Sequence, residues 1–144
     1  AQEVLFAGSS RVPPKVPLDI VEIPKATPTE ILGLAVTPYH AEHPSGAPSY
    51  SLRVSHAGRT LVYTGDTEWT EALVEAADGA DLLIAETLFY DKQVKFHLNY
   101  RTLADNEARL NARRIVLTHL GPEMMANLDR VSHEVARDGL RLRL

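Results

Sequence analysis

Three short apolar runs, each closing on a polar residue, constrain the fold of this chain more than any other feature. Leu61-Val62-Tyr63-Thr64-Gly65 runs into Asp66, Leu82-Leu83-Ile84-Ala85 into Glu86, and Ile115-Val116-Leu117-Thr118 into His119. The segments 81–86 and 114–118 are continuous rather than alternating, the pattern of strands buried on both faces. Helical spacing separates the runs. Trp69, Leu73, Ala76 and Ala77 follow the i, i+4, i+7, i+8 rule, with Gly79 where a helix would end. Thr102 with Asp105 reads as a capping box opening a helix to about Ala112. Strands that alternate with helices in this way give an α/β layered sheet.

The first half reads differently. Residues 50–55 and 60–64 form a hairpin pattern joined through His56-Ala57-Gly58-Arg59. Residues 31–37 read as a strand, followed by a proline-rich loop over 38–48. Pro13, Pro14, Pro17, Pro24 and Pro28 exclude a long helix or central strand near the start, leaving brief strands at 4–7 and 18–23. At the other end Pro122 suits a first helical turn, with Met124, Leu128, Val131 and Val135 on one face of that helix and Gly139 ending it. Residues 140–144 then alternate apolar and Arg, as a last strand would.

Length and composition bound the function classes. The 144 residues suit a single domain, 1–144, and 44% hydrophobic with 24% charged residues is a soluble profile. No apolar stretch approaches the ~20 residues of a membrane helix. A formal net charge of −4 with scattered basic residues argues against a broad nucleic-acid face, though not against a small basic site. The absence of cysteine excludes disulfides and thiolate metal sites, and fits a cytoplasmic protein. Any metal must be held by the 6 His and 19 carboxylates.

Carboxyl ends of strands in α/β sheets are where loops converge and ligands bind. Parallel neighbours would therefore bring Asp66, Glu86 and His119 to one edge, with His43 able to join them. Such an oxygen and nitrogen donor set suits zinc, manganese or iron. Each residue alone has a blander reading. Asp66 could cap the next helix, His119 could be a hydrogen-bonded surface residue, and Glu86 could be a salt-bridged strand end. His97 lies in a loop, while His56 in the hairpin turn and His133 off its helix stripe read as solvated.

Jointly the pattern is more specific. Gly65-Asp66-Thr67 after a strand, Glu86 after a strand, His97 in a loop and Leu117-Thr118-His119 after a strand resemble the metallo-β-lactamase superfamily, nearest its ribonuclease Z-like branch. The likeness runs from about Pro17 to the last strand. His43, ahead of Pro-Ser-Gly-Ala-Pro-Ser-Tyr-Ser-Leu-Arg-Val, matches a family histidine better than His40 does, judged by its distance to Arg53.

The resemblance implies half of an αββα sandwich, a mixed sheet with helices on one face. It implies a metal-dependent, phosphodiesterase-like hydrolase in an intact parent, with His43 and His119 each binding one of two divalent cations and Asp66 bridging them. Zinc is the first choice of metal, with manganese or iron as alternatives. Glu86 and His97 would pair near the scissile phosphate, where the histidine stabilises negative charge or protonates the leaving oxygen.

One family signature, His-x-His-x-Asp-His, is absent from these 144 residues. The expectation is thus a truncated C-terminal half that binds metal weakly and catalyses little alone. Its partner would be the missing N-terminal half or a second copy, in a homodimer that covers an otherwise bare sheet face. No long arm interrupts Arg53 to Asp66, which disfavours transfer RNA relative to a small phosphodiester or other ester. The alternative is a non-catalytic assembly or interaction domain derived from the same fold.

Overall fold

The computed structural model describes residues 21–144. Among the described residues, seven strands form one sheet in chain order: β1 Thr29–Ile31, β2 Leu34–Ala41, β3 Ser49–His56, β4 Arg59–Tyr63, β5 Leu82–Glu86, β6 Ile115–Thr118 and β7 Glu134–Val135. The sheet is mixed. β1 to β4 pair antiparallel, and β4, β5, β6 and β7 pair parallel. Four short helices among the described residues accompany it: α1 Glu71–Ala77, α2 Tyr100–Asp105, α3 Glu107–Leu110 and α4 Pro122–Met125.

Alternation along the strands separates two faces. Val62, Leu83, Ala85 and Leu117 turn towards the helices and join Leu73, Ala76, Leu103, Leu110 and Met124 in the buried core. The register places Leu34, Leu52, Val54, Leu61, Tyr63, Leu82, Ile84 and Val116 on the opposite face. That face is only partly covered, since Leu34 and Tyr63 stay 37% and 43% exposed while Leu82 and Val116 are buried. This is the α/β, one-sided sheet expected of half an αββα sandwich.

Several local expectations are corrected. Residues 31–37 are not one strand: Leu32 and Gly33, both at positive φ, turn β1 into β2. β2 also runs on through Pro38 to Ala41 instead of ending in a loop. Proline is tolerated because its carbonyl accepts from Ala26 N beyond the end of β1, so its missing N–H faces that side and not β3. The hairpin of β3 and β4 forms as expected, around Ala57 and Gly58 at positive φ.

The cap of α2 is Asn99, whose side chain accepts from Thr102 N, so the helix starts earlier than the Thr102 capping box suggested. The helix expected after Pro122 is a single turn, followed by a 3-10 turn at Leu128–Arg130 and by β7, which holds Val135. Pairing with the open edge of β6 outweighs the helical spacing there. No strand forms over 140–144. The run at 4–7 lies outside the described residues, as does half of 18–23, whose described part, 21–23, carries no strand.

Candidate metal centre

The parallel register aligns Tyr63 with Ile84 and Val116, so the segments leaving β4, β5 and β6 emerge at one edge. β2 is antiparallel to β3 and β3 to β4, so β2 ends at that edge too. Asp66, Glu86, His119 and His43 therefore converge, and the loop before α2 adds His97. Ligand-type atoms of Asp66, Glu86, His97 and His119 all lie within 4.8 Å of one another.

Glu86 is the buried hub, only 1% exposed. Its Oε1 accepts from Thr67 N at 2.6 Å and Leu98 N at 3.3 Å. Its Oε2 lies 3.0 Å from His97 Nδ1 and 3.2 Å from His119 Nδ1. A carboxylate taken out of water needs such partners, and here two backbone donors and two imidazoles supply them. Glu86 N in turn donates to Thr64 Oγ1 at 3.0 Å, tying the hub to the end of β4.

Asp66 sits further out. Its Oδ1 is 3.0 Å from His119 Nδ1 and its Oδ2 3.9 Å from His43 Nε2, so the carboxylate reaches towards two imidazoles at once. Asp66 is not the cap of α1; Thr70 is, with its side chain accepting from Leu73 N. His43 packs edge-on against Phe96 and His97, with ring centroids 6.2 and 5.3 Å away. His40 instead faces Glu42 at 3.3 Å on the exposed side of β2.

His119 occupies the left-handed region at φ 57°. Such strain in a residue with a Cβ is typical of functional sites. Two residues on, Gly121 has no room for a side chain, since a Cβ there would meet Leu88 O at 2.6 Å.

The remaining histidines lie apart. His56 is exposed, with Nδ1 3.0 Å from Gly33 O. His133 is not solvated as expected: its side chain is 9% exposed, its ring stands edge-on to Tyr100, and Nε2 is 3.3 Å from Glu107. Thr67 enters the sequence reading only through the Gly65-Asp66-Thr67 motif and Glu68 not at all, yet both brace the site. Thr67 Oγ1 accepts from Glu42 N at 2.9 Å, and Glu68 Oε1 accepts from Phe96 N at 2.7 Å. Their partners lie 25 and 28 residues away, beyond the reach of any local pattern.

The donor set fits a borderline-hard divalent cation, since clustered carboxylate oxygens and imidazole nitrogens are the ligands such ions take. Beside it opens a cleft of about 380 Å³, lined by Glu68, Trp69, Lys95, His97 and Thr102 among others.

A family profile described as a beta-lactamase superfamily domain matches residues 2–120. Among curated proteins, the chain is 33% identical over 120 residues to the zinc phosphodiesterase ELAC protein 2 homolog of Caenorhabditis elegans, covering 76% of this chain and 14% of that protein. It is 34% identical over 104 residues to ribonuclease Z of Methanosarcina mazei, covering 69% of this chain and 31% of that enzyme. Among solved structures, the metallo-beta-lactamase fold protein YhfI from Bacillus subtilis superposes with a TM-score of 0.74 at 23% identity, covering 96% of this chain and 62% of YhfI. The chain thus spans a minor part of the curated relatives' length.

Proposed function

This chain belongs to the metallo-β-lactamase superfamily, with a ribonuclease Z-like relationship, and on that premise we propose that it supplies one side of a metal-dependent phosphodiesterase centre. The observation that carries the reading is the gathering of Asp66, Glu86, His97 and His119 within 4.8 Å. His43 and His119 would each hold one divalent cation, zinc by preference, with the two oxygens of Asp66 directed one to each side. When bound, the cations would supply Lewis acidity and an activated water.

The chain's own residues would do the rest. Glu86, hydrogen-bonded by Thr67 N and Leu98 N, orients the His97 ring through Nδ1. The free edge of that ring is then available to a leaving oxygen, to donate a proton or to stabilise its charge. The 380 Å³ cleft beside His97 would receive a substituent of the ester. Similarity to a zinc phosphodiesterase and a ribonuclease Z favours a phosphodiester over other esters.

Further ligands would come from a polypeptide segment bearing His-x-His-x-Asp-His, which these 144 residues lack. The partly exposed face carrying Leu34 and Tyr63 offers that segment, or a second copy, a surface to pack on. The test is reconstitution: hydrolysis of bis-p-nitrophenyl phosphate is followed after adding an N-terminal half that carries the motif, with zinc. Activity that appears only with both polypeptides, and is abolished by Asp66→Ala, supports the reading. No turnover of phosphodiester or carboxylic ester by the assembled pair would overturn it.

A further inference from the structure

The loop that carries His97 contains a residue held outside the usual range for L-amino acids. Phe96 has φ 71°, in the left-handed region. It is the third residue of a tight turn from Val94 to His97, closed by His97 N donating to Val94 O at 3.3 Å. Turns with positive φ at that position ordinarily call for glycine. Phenylalanine has a use there, because its ring stands edge-on to His43 with centroids 6.2 Å apart. The turn therefore serves two histidines: it presents His97 to Glu86 and sets an aromatic wall beside His43.

Glu68 is the group placed to hold this strained turn. Its Oε1 accepts the Phe96 N–H at 2.7 Å, a charge-assisted bond. Its backbone is anchored in turn, since Glu68 N donates to Glu42 O at 3.2 Å, one residue before His43. The adjacent Thr67 accepts from Glu42 N and donates to Glu86. Glu68 thus links the loop after Asp66, the end of β2 and the His97 turn. It stands outside the group of Asp66, Glu86, His97 and His119.

We propose that Glu68 is a positioning residue, whose carboxylate holds Phe96 in its left-handed turn and so fixes the His97 ring against Glu86. The role matters for catalysis only if His97 is a site residue as proposed above. Its test needs neither metal nor turnover, so either reading can fail without the other.

Amide hydrogen exchange and the ring signals of His97 are followed by NMR in four versions of the protein: unaltered, Glu68→Ala, Glu68→Gln and the double variant Glu68→Ala/Phe96→Gly. Glu68→Ala is expected to speed exchange at the Phe96 amide by roughly ten- to a hundredfold and to shift the His97 ring signals, with β5 and β6 unchanged. Glu68→Gln keeps a carbonyl acceptor and should resemble the unaltered protein. In the double variant glycine adopts the turn without an anchor, so the His97 signals should return towards their original positions. The proposal is overturned if Glu68→Ala leaves Phe96 exchange and the His97 signals unchanged, or loosens β5 and β6 equally. It is also overturned if Glu68→Gln behaves as Glu68→Ala, or if glycine at 96 restores nothing.

Discussion

Glu86 Oε2 lies 3.0 Å from His97 Nδ1, while the other oxygen of the same buried carboxylate accepts the backbone N–H groups of Thr67 and Leu98. One side chain therefore joins the loop after β4, the end of β5 and the loop before α2. Glu86 binds the site into the fold as well as facing its histidines.

Glu86→Ala should accordingly cost stability as well as function. It leaves the Thr67 and Leu98 N–H groups buried without an acceptor, at about 1–3 kcal/mol each. Glu86→Gln retains an oxygen for those donors and should lose less. Urea denaturation of the two variants measures the difference, and equal losses would contradict the hub role.

His119 should show the opposite trade. Its left-handed backbone costs a residue with a Cβ roughly 1–2 kcal/mol that glycine avoids, offset in part by glycine's greater freedom when unfolded. The side chain is 41% exposed, so its truncation sacrifices little packing. His119→Gly is expected to raise the melting temperature while weakening metal binding. A lower melting temperature would show that the imidazole contacts to Asp66 and Glu86 outweigh the backbone strain.

Gly121→Ala tests the close approach behind His119. The added methyl would meet Leu88 O at 2.6 Å, and that oxygen also accepts Gly121 N at 2.9 Å. Neither backbone can yield without breaking this bond, so a loss of about 1–3 kcal/mol is expected in thermal or chemical denaturation. A neutral substitution would mean that this corner is looser than the contact indicates.

Acid should remove a stabilising contribution centred on Asp81. The Thr60 N–H, then Arg59 and more weakly Arg113, hold its carboxyl below the ordinary value of 3.8. The folded protein thus keeps this group ionised more readily than the unfolded chain does. The contribution is complete above the unfolded value and is lost as pH falls through the lowered folded value. Asp81→Asn should flatten the stability profile below about pH 4. An unchanged acid limb in that variant would contradict the assignment.

Much of this arrangement was legible in the sequence where local pattern and tertiary role agree. The runs at 82–86 and 115–118 become β5 and β6 because residues apolar on both faces have few other places to go. Their closing residues, Glu86 and His119, meet Asp66 because parallel strands end at one edge. Illegible features depended on distant partners. Val135 follows helical spacing from Met124, yet β6 offers it a strand. Pro38 looked like a breaker because nothing local reveals which side of β2 needs its N–H. Glu68 carried no signal and Thr67 only its place in the Gly65-Asp66-Thr67 motif, since the groups they brace are brought near only by folding.

The most direct measurement of the proposed metal centre is a cobalt(II) titration read by visible absorption, comparing the unaltered protein with Asp66→Ala and His56→Ala. The expected result is a ligand-field spectrum in the unaltered protein and in His56→Ala, with weak affinity in the absence of a His-x-His-x-Asp-His polypeptide, and its loss in Asp66→Ala. An identical spectrum in Asp66→Ala, or none in any version even with that polypeptide supplied, would contradict the assignment of Asp66 as a metal ligand.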